Sequence, residues 1–454
     1  MDWITEHFAL LERQDEKDRI ERIARAATSY QGDAPPPLRL SPDGFDDNVR
    51  LNFARLIVDK GVAFLFGKGP EITLDDQSEQ SSKEEASEAM WEASGGLLAM
   101  QRLAVNGGIA GHAIAKLVEG DPLPRIVVID PQNFSMKWRG DDHEVITEYA
   151  ITWTSYDEEE RKVVGRRQRI VPNEDGRSWE IIDEKSSSQD GGRWREISRV
   201  TWGYPFAPIV HAQNLPASNE VYGRADLEHD VLDLIEAIEF AVSNINRILR
   251  FHAHPLWWTN AEGDLTTLDR AIGRIVRFPK NTEINKLEMD SDLSSAMEFA
   301  RGLRESLHEV SRIPEIAVGK VENVGNLSGI ALQILYQPLI EKTDQKRLTY
   351  GRLISEITRR GLIIGGQGEH KANVSWPEML PADSETLIAD QALGIVSKRT
   401  LAAKRGYDFD VELMRMEEET SGGPTSTEDV LSRMMASLDR SPAPGEGEPP
   451  DGSP

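Results

Sequence analysis

Two stretches of the chain carry apolar residues at helical spacing on either side of a short insert. From residue 226, Leu227, Val231, Leu234, Ile238, Val242, Ile245 and Leu249 recur every three or four positions, the stripe an amphipathic helix turns toward a partner. Glu228, Asp230 and Asp233 crowd its start and Arg247 and Arg250 its end, the order the helix dipole favours. Asp226 is placed to cap it, and at 1.5 Å per residue the helix would be roughly 38 Å long. A second stripe, Leu293, Met297, Ala300, Leu303, Leu307 and Val310, starts near residue 291 and closes at Pro314. Between the two, 255–259 and 274–278 read as strands and 264–272 as a short helix. A glycine-containing loop over 314–327 follows. Ser328 then caps a third long helix with Pro338 inside it, where the missing amide predicts a kink. This helix ends at Gly361, ahead of Gly365-Gly366-Gln367-Gly368.

The first half of the chain divides by period. Residues 1–30 read as a mixed-charge helix with Ile20, Ile23 and Ala24 on one side, ended by the proline run at 35–37. A helix is expected over 47–66, from Val49, Phe53, Leu56, Ile57 and Phe64. A solvated segment over 75–86 and a helix over 87–104 follow. From 108 to 210 the period changes to two. Runs at 126–129, 145–153, 162–170, 178–182 and 194–202 are rich in β-branched and aromatic residues, with turn signals at 139–141, 174–176 and 190–192. They predict an antiparallel meander. Residues 371–418 give one short strand (372–376) and then helices. The tail from 419 is rich in Gly, Pro, Ser and acids and reads as disordered.

Composition narrows the classes. A length of 454 residues is enough for two or three ordinary cores. The chain has no cysteine, which excludes disulfides, thiolate catalysis and cysteine zinc sites, and makes a reducing cytoplasm the simplest setting. No apolar run is long enough to cross a bilayer, and the amino terminus does not read as a secretory signal. The formal net charge is −25; such a surface repels phosphate, which disfavours tight groove reading but suits a wall that nucleic acid slides past.

The search for chemistry yields little. Asn106-Gly107-Gly108-Ile109-Ala110-Gly111 has glycines but no following Lys-Ser or Lys-Thr, and Gly67-Lys68-Gly69-Pro70 has a proline where a phosphate loop needs free amides. His252 and His254 would share one face of a strand, so a metal held with Glu262 or Asp264 is conceivable, but no third histidine is nearby and two polar residues at a strand entrance, beside Trp257-Trp258, are the better account. Asp46-Asp47, Asp75-Asp76 and Asp141-Asp142 sit where capping and solvation account for them. Trp257 and Trp258 would face opposite sides of a strand, so one needs a second partner, which favours a buried subunit interface. No nucleophile is assembled with a base, and the expectation is a structural subunit rather than an enzyme.

The order of parts resembles the portal proteins of tailed bacteriophages of the siphophage type. The likeness is carried by residues 48–70 (NVRLNFARLIVDKGVAFLFGKGP), by 111–131 ending Ile129-Asp130-Pro131, by Asn326-Leu327-Ser328-Gly329-Ile330-Ala331-Leu332, and by Trp376-Pro377-Glu378-Met379-Leu380-Pro381. It spans most of residues 10–415 and lies in the order of the motifs, none of which is diagnostic alone. The resemblance implies an α+β portal-like fold. Its parts would be an N-terminal helix and linker (1–40), a β-rich wing (41–225), stem helices (226–251 and 291–313), a small α/β clip (252–290), a tunnel loop (314–327), a kinked wing helix (328–369), a helical crown (370–418) and a disordered acidic tail (419–454).

By the same resemblance the protein would form a homo-oligomeric ring, usually of twelve subunits, at a capsid vertex of the virion, assembled in the host cytoplasm. Double-stranded DNA would pass through it without sequence-specific contact, no cofactor would be needed, and no membrane would be involved. Lys320, Asn323 and Asn326 would face the DNA. Trp257, Trp258, Arg274, Arg277 and Lys280 would dock the terminase large subunit and later a head-completion or adaptor protein, with capsid and scaffold proteins as further partners. Lys320 is offset by Glu315 and Glu322, which predicts weak contact with DNA; a solvated loop lysine explains it as well. The rival readings are another self-assembling capsid or tail component and a metal-dependent hydrolase built on His252 and His254.

Overall fold

The structure, a computed structural model, describes residues 2–41, 44–74, 80–158, 160–174, 176–186, 193–253, 256–259, 284–287, 293–319, 329–379, 393–394, 397–404 and 409–421; the side chains of 2–14, 80–81, 251–259, 284–287, 329–330, 403–404 and 417–421 are not described. It divides into two units, Met1–Met379 and Leu380–Pro454. In the second unit, helices Lys398–Lys404 and Phe409–Ser421 are described, with Arg399 paired to Asp410 at 2.7 Å. The tail beyond 421 lies outside the described residues.

The first unit opens with α1 (Asp2–Gln31), which buries Ile23, Ala26 and Ala27 while Ile20 is exposed. The predicted helix over 47–66 is shorter in fact. α2 runs Phe53–Phe66, with the Asn52 side chain accepting from the Arg55 amide, and residues 47–52 are not helical, the Val49 and Leu51 amides bonding to side chains of a later helix described below. The expected helix over 87–104 is two helices, α3 (Gln80–Ala93) and α4 (Gly96–Ala110). Gly95 and Gly96 break it at φ +104° and +55°, a conformation that glycine adopts at little cost. The solvated stretch expected over 75–86 is therefore helical from residue 80. The strand-rich region begins at His112, four residues later than the period suggested.

The strands form an antiparallel meander and a smaller sheet. β4 (Phe134–Arg139), β5 (Asp142–Asp157), β6 (Lys162–Pro172), β7 (Trp179–Ser186) and β8 (Trp194–Trp202) pair in sequence order. A separate three-stranded sheet has the order β3 (Arg125–Ile129), β2 (His112–Val118), β9 (Ile209–Gln213). The register puts Tyr149, Ile170 and Ile181 on one face of the meander, where they join Phe134, Met136, Ile151 and Ile209 in a core. The opposite face carries charges across the strands, Glu148 with Arg169 at 2.9 Å and Glu184 with Arg167 at 2.6 Å, the cross-strand pairing that suits a polar face.

The main core is helical. α2, α4, α5 (His229–Ala253) and α7 (Gly329–Ile364) bury Ile57, Val58, Leu103, Leu232, Ile238, Leu353 and Ile357 around β2. α6 (Leu293–Ser311) packs beside α5. β1 (Glu71–Leu74) pairs with β12 (Ala372–Ser375), so this strand lies within the first unit. β10 (Leu256–Thr259) pairs with β11 (Ile284–Leu287). The partner of the first insert strand is thus 284–287; the strand expected over 274–278 and the helix expected over 264–272 lie outside the described residues. Antiparallel strands gathered apart from the long helices make this an α+β fold.

Glycine is required where α4 meets α7. A Cβ on Gly107 would overlap the Tyr350 hydroxyl, and that hydroxyl donates to Asn214 Oδ1 at 3.1 Å in the buried core. Gly107→Ala should therefore destabilise the protein by about 1–3 kcal/mol in denaturant unfolding, despite the better helix propensity of alanine. Gly107→Ala combined with Tyr350→Phe should cost less than the sum of the two single changes, because the phenyl ring removes the overlapping oxygen.

Candidate functional site

The long helices α5 and α6 bury only part of their apolar surface within one chain. On α5, Val231, Leu232, Ile235 and Ile238 are buried, whereas Phe240 and Leu249 are about half exposed. On α6, Leu307 is buried, but Met297, Phe299 and Val310 face outward at 58%, 63% and 44% exposure. The stripe read from sequence is therefore split, with Leu303 and Leu307 turned inward and Met297 and Val310 outward. Large apolar side chains left exposed on both helices suit association.

A polar face of α5 holds a strap formed by residues 47–51. The Leu51 amide donates to Glu239 at 2.9 Å, the Val49 amide to Ser243 Oγ at 2.9 Å, and Asn246 donates to the Asp47 carbonyl at 2.9 Å. Glu239, Ser243, Asn246 and Arg250 fall at helical spacing along one side. Asp47 is the anchor. Its buried carboxylate takes Arg250 at 2.5 Å, Arg247 at 2.9 Å and Ser41 Oγ at 2.7 Å, and Arg250, Ser41 and Arg247 hold its pKa well below the usual carboxylate range. Capping and solvation therefore do not account for Asp47. Asp46 does close a local turn, accepting from the Asn48 amide at 3.0 Å.

The second anchor is Asp226. It does not cap α5, which begins three residues later at His229. Its carboxylate is fully buried between two lysines one turn apart on α7. Lys346 Nζ lies 2.5 Å from Oδ2 and Lys342 Nζ 3.0 Å from Oδ1, with all three side chains no more than 4% exposed. Lys342 also donates to the Ser311 carbonyl at 2.9 Å, at the C-terminus of α6. The Asp226 amide donates to the Gly108 carbonyl near the C-terminus of α4. Gly108 leaves the room for this, since a Cβ there would sit 2.9 Å from Oδ2.

Two ammonium groups share one carboxylate, and the negative end of α6 supplies part of the missing countercharge. Burial raises the Asp226 carboxyl, but Lys342 and Lys346 outweigh it and hold it at about 2. Burial depresses Lys346 to about 8; Asp226 opposes this shift, and the charge of Lys342 adds to it.

After α6, Arg312 takes φ +57° and a single 3-10 turn, Glu315–Val318, closes on Gly319 at φ +83°. Glu315 sits 3.4 Å from Arg304 and 3.7 Å from His308 Nε2, so its charge is engaged on α6. Lys320, Asn323 and Asn326 lie outside the described residues, as do Ser328, Arg274, Arg277, Lys280 and His254. Trp257 and Trp258 lie in β10, opposite Lys286 and Asn285. His252 lies in the last helical turn of α5 and not on a strand, which removes the shared strand face assumed for the histidine pair. Among the described residues no group of three or more His, Asp or Glu is placed to hold a metal ion. The Asp47 and Asp226 anchors left no signal beyond polar residues at positions facing apolar neighbours, such as Lys342 and Lys346 in line with Leu339, Tyr350 and Leu353.

An α+β chain with long paired helices, ionic anchors at their ends and an apolar outer side is built as an architectural component. Its sequence matches the family model described as "Phage portal protein, SPP1 Gp6-like" over residues 11–422, and the chain belongs to that structural family. No curated protein matches it. Among solved structures it is similar to a chain of the "Neck of empty GTA particle computed with C6 symmetry", at 13% identity over 78% of this chain and 89% of that one, with a TM-score of 0.43. It is similar to a chain of the "Neck of native GTA particle computed with C12 symmetry", at 12% over 78% and 89%, with a TM-score of 0.44. A chain of the "Virion of native gene transfer agent (GTA) particle" is 14% identical over 85% and 93%, with a TM-score of 0.44.

Removing one partner of a buried ion pair strands the other. Asp226→Asn should cost about 3–5 kcal/mol in denaturant unfolding at neutral pH. Lys346 has a second consequence. Its folded value of about 8 lies below the ordinary 10.5, so the unfolded chain holds the extra proton between those values and stability should rise as pH climbs through that window. Lys346→Met, which leaves a one-to-one pair, should flatten that rise in melting temperature measured across the same range.

Proposed function

We propose that the chain is the subunit of a portal ring at one vertex of a capsid, the channel through which double-stranded DNA is packaged and ejected. The match to the portal family over residues 11–422 carries this reading. The outward Met297, Phe299, Val310, Phe240 and Leu249 support it, because a closed ring of identical subunits gives each such face a partner. The net charge of −25 supports a wall that DNA passes without sticking. Among the described residues no helix is long and apolar enough to cross a membrane.

In this reading α5 and α6 are the stem, residues 252–290 the clip, 314–327 the tunnel loop, 328–369 the wing helix, 41–225 the wing and 370–418 the crown. Twelve subunits is the expected number, and the ring belongs to the virion. Lys320, Asn323 and Asn326 face the DNA. Trp257 and Trp258, with Arg274, Arg277 and Lys280, dock the terminase large subunit and then a head-completion protein; capsid and scaffold proteins meet the outside of the ring.

Size-exclusion chromatography with light scattering, with negative-stain imaging of the same fractions, tests the assembly. The expected result is a turbine-like ring with an axial hole. Met297→Asp with Phe299→Asp should leave folded monomers, judged by an unchanged circular dichroism spectrum, while abolishing the ring. A chain that stays monomeric at every concentration and salt, or that forms tubes or shells, overturns the reading. For the docking surface, Arg274→Glu, Arg277→Glu and Lys280→Glu together should preserve the ring and weaken terminase binding at least about tenfold in a pull-down titration, more strongly at low salt. Unchanged binding would remove these residues from the interface.

A further inference from the structure

We propose that Asp226, Lys342 and Lys346 form an ionic latch that fixes the end of α6 and the first half of α7 to the start of α5, so that opening it frees those two segments while the five-stranded sheet stays folded. The latch stands where a well-buried core gives way to weakly held helix. On its core side, Tyr350, Leu353, Ile354 and Ile357 of α7 are at most 2% exposed, and before the latch Leu339 is buried as well. On its other side, Ile334 and Leu335 of α7 are exposed, and so are Met297, Phe299 and Val310 of α6. In α6 only Leu307, His308 and Ser311 are buried. Few buried apolar contacts per turn put a segment at the low end of local stability.

Leu307, Ile313, Ala317 and Leu339 reach the main core from these segments, and the polar bond that crosses between them is that of Lys342, which bridges Asp226 and the Ser311 carbonyl. His308 Nδ1 closes the turn after α6 on the Ile313 carbonyl at 2.7 Å. Pro338, four residues before Lys342, has no amide to give the Ile334 carbonyl. The helical ladder is therefore interrupted within the part of α7 that opening would free. The charged groups facing the latch are Arg312 at the end of α6 and the three latch residues themselves, with the Tyr350 hydroxyl and the backbones of Gly61 and Gly108 closing the site. Burial keeps water out, so the lysines depend on Asp226 and on the carbonyl end of α6 for their countercharge. Asp226, Lys342, Lys346 and Ser311 belong to one chain, so the latch forms whether or not the chain joins a ring.

Hydrogen–deuterium exchange with mass spectrometry on the full chain, each variant compared in the same oligomeric state, tests it. Asp226→Asn should speed exchange of amides in 303–318 and 331–346 by at least about tenfold, leaving 134–202 within twofold of the unaltered protein (~ the scatter between independent sites). Lys342→Met keeps the Asp226–Lys346 pair and so guards against outright unfolding. It should speed exchange in 303–318, whose carbonyl anchor it removes, and leave the sheet unchanged. Equal acceleration of the sheet in Lys342→Met would show a general core element rather than a latch. Unchanged exchange in 303–318 in that variant would show that Lys342 holds nothing, and either result overturns the proposal.

Discussion

Asp226 is the point on which the arrangement of the long helices depends. A carboxylate removed from water is tolerated only when cations meet it at close range. Here both cations come from one turn-spaced face of α7, and one of them also closes the C-terminus of α6. Through its own amide Asp226 holds the end of α4. Four helices therefore meet at one residue. The glycine beside it follows from the same requirement, because Gly108 leaves the space the carboxylate occupies.

Asp47 does the same work at the other end of α5, in a wetter setting. It fastens a strap across a polar helix face by pairing with Arg247 and Arg250. α5 is thus held near both ends by carboxylates that lie outside it, with apolar packing between them. Its remaining apolar surface, together with that of α6, points away from the chain. An architecture of this kind keeps a helix pair rigid while leaving its outer side available, which suits a subunit of the portal family better than it suits a free monomer.

The element order was legible because it rests on period and punctuation. The stripe from Leu227, the β-branched runs from 126 to 202 and the proline run at 35–37 mark real elements, whereas α7 runs through Gly361, its expected end, to Ile364; the resemblance drawn from their order agrees with the family match. Where local reading failed, a distant partner had overridden it. Residues 47–52 have helical spacing, but their amides go to Ser243 and Glu239. Asp226 has the look of a cap, but its carboxylate goes to lysines more than a hundred positions away. The break at Gly95–Gly96 was within reach, since two adjacent glycines between apolar runs are a local signal.

The sequence by itself determined the α+β class, the long helices around an insert, the meander and the acidic surface, because these follow from composition and from periods a few residues long. Only the tertiary structure decided which polar residues are buried and whom they meet. Lys342 and Lys346 read as ordinary helix lysines until Asp226 is brought to them, and Asp46-Asp47 reads as a turn until α5 passes beside it. The reason is physical: the cost of burying a charge is set by its partner, and a partner chosen by the fold leaves no mark at the spacing of its own segment.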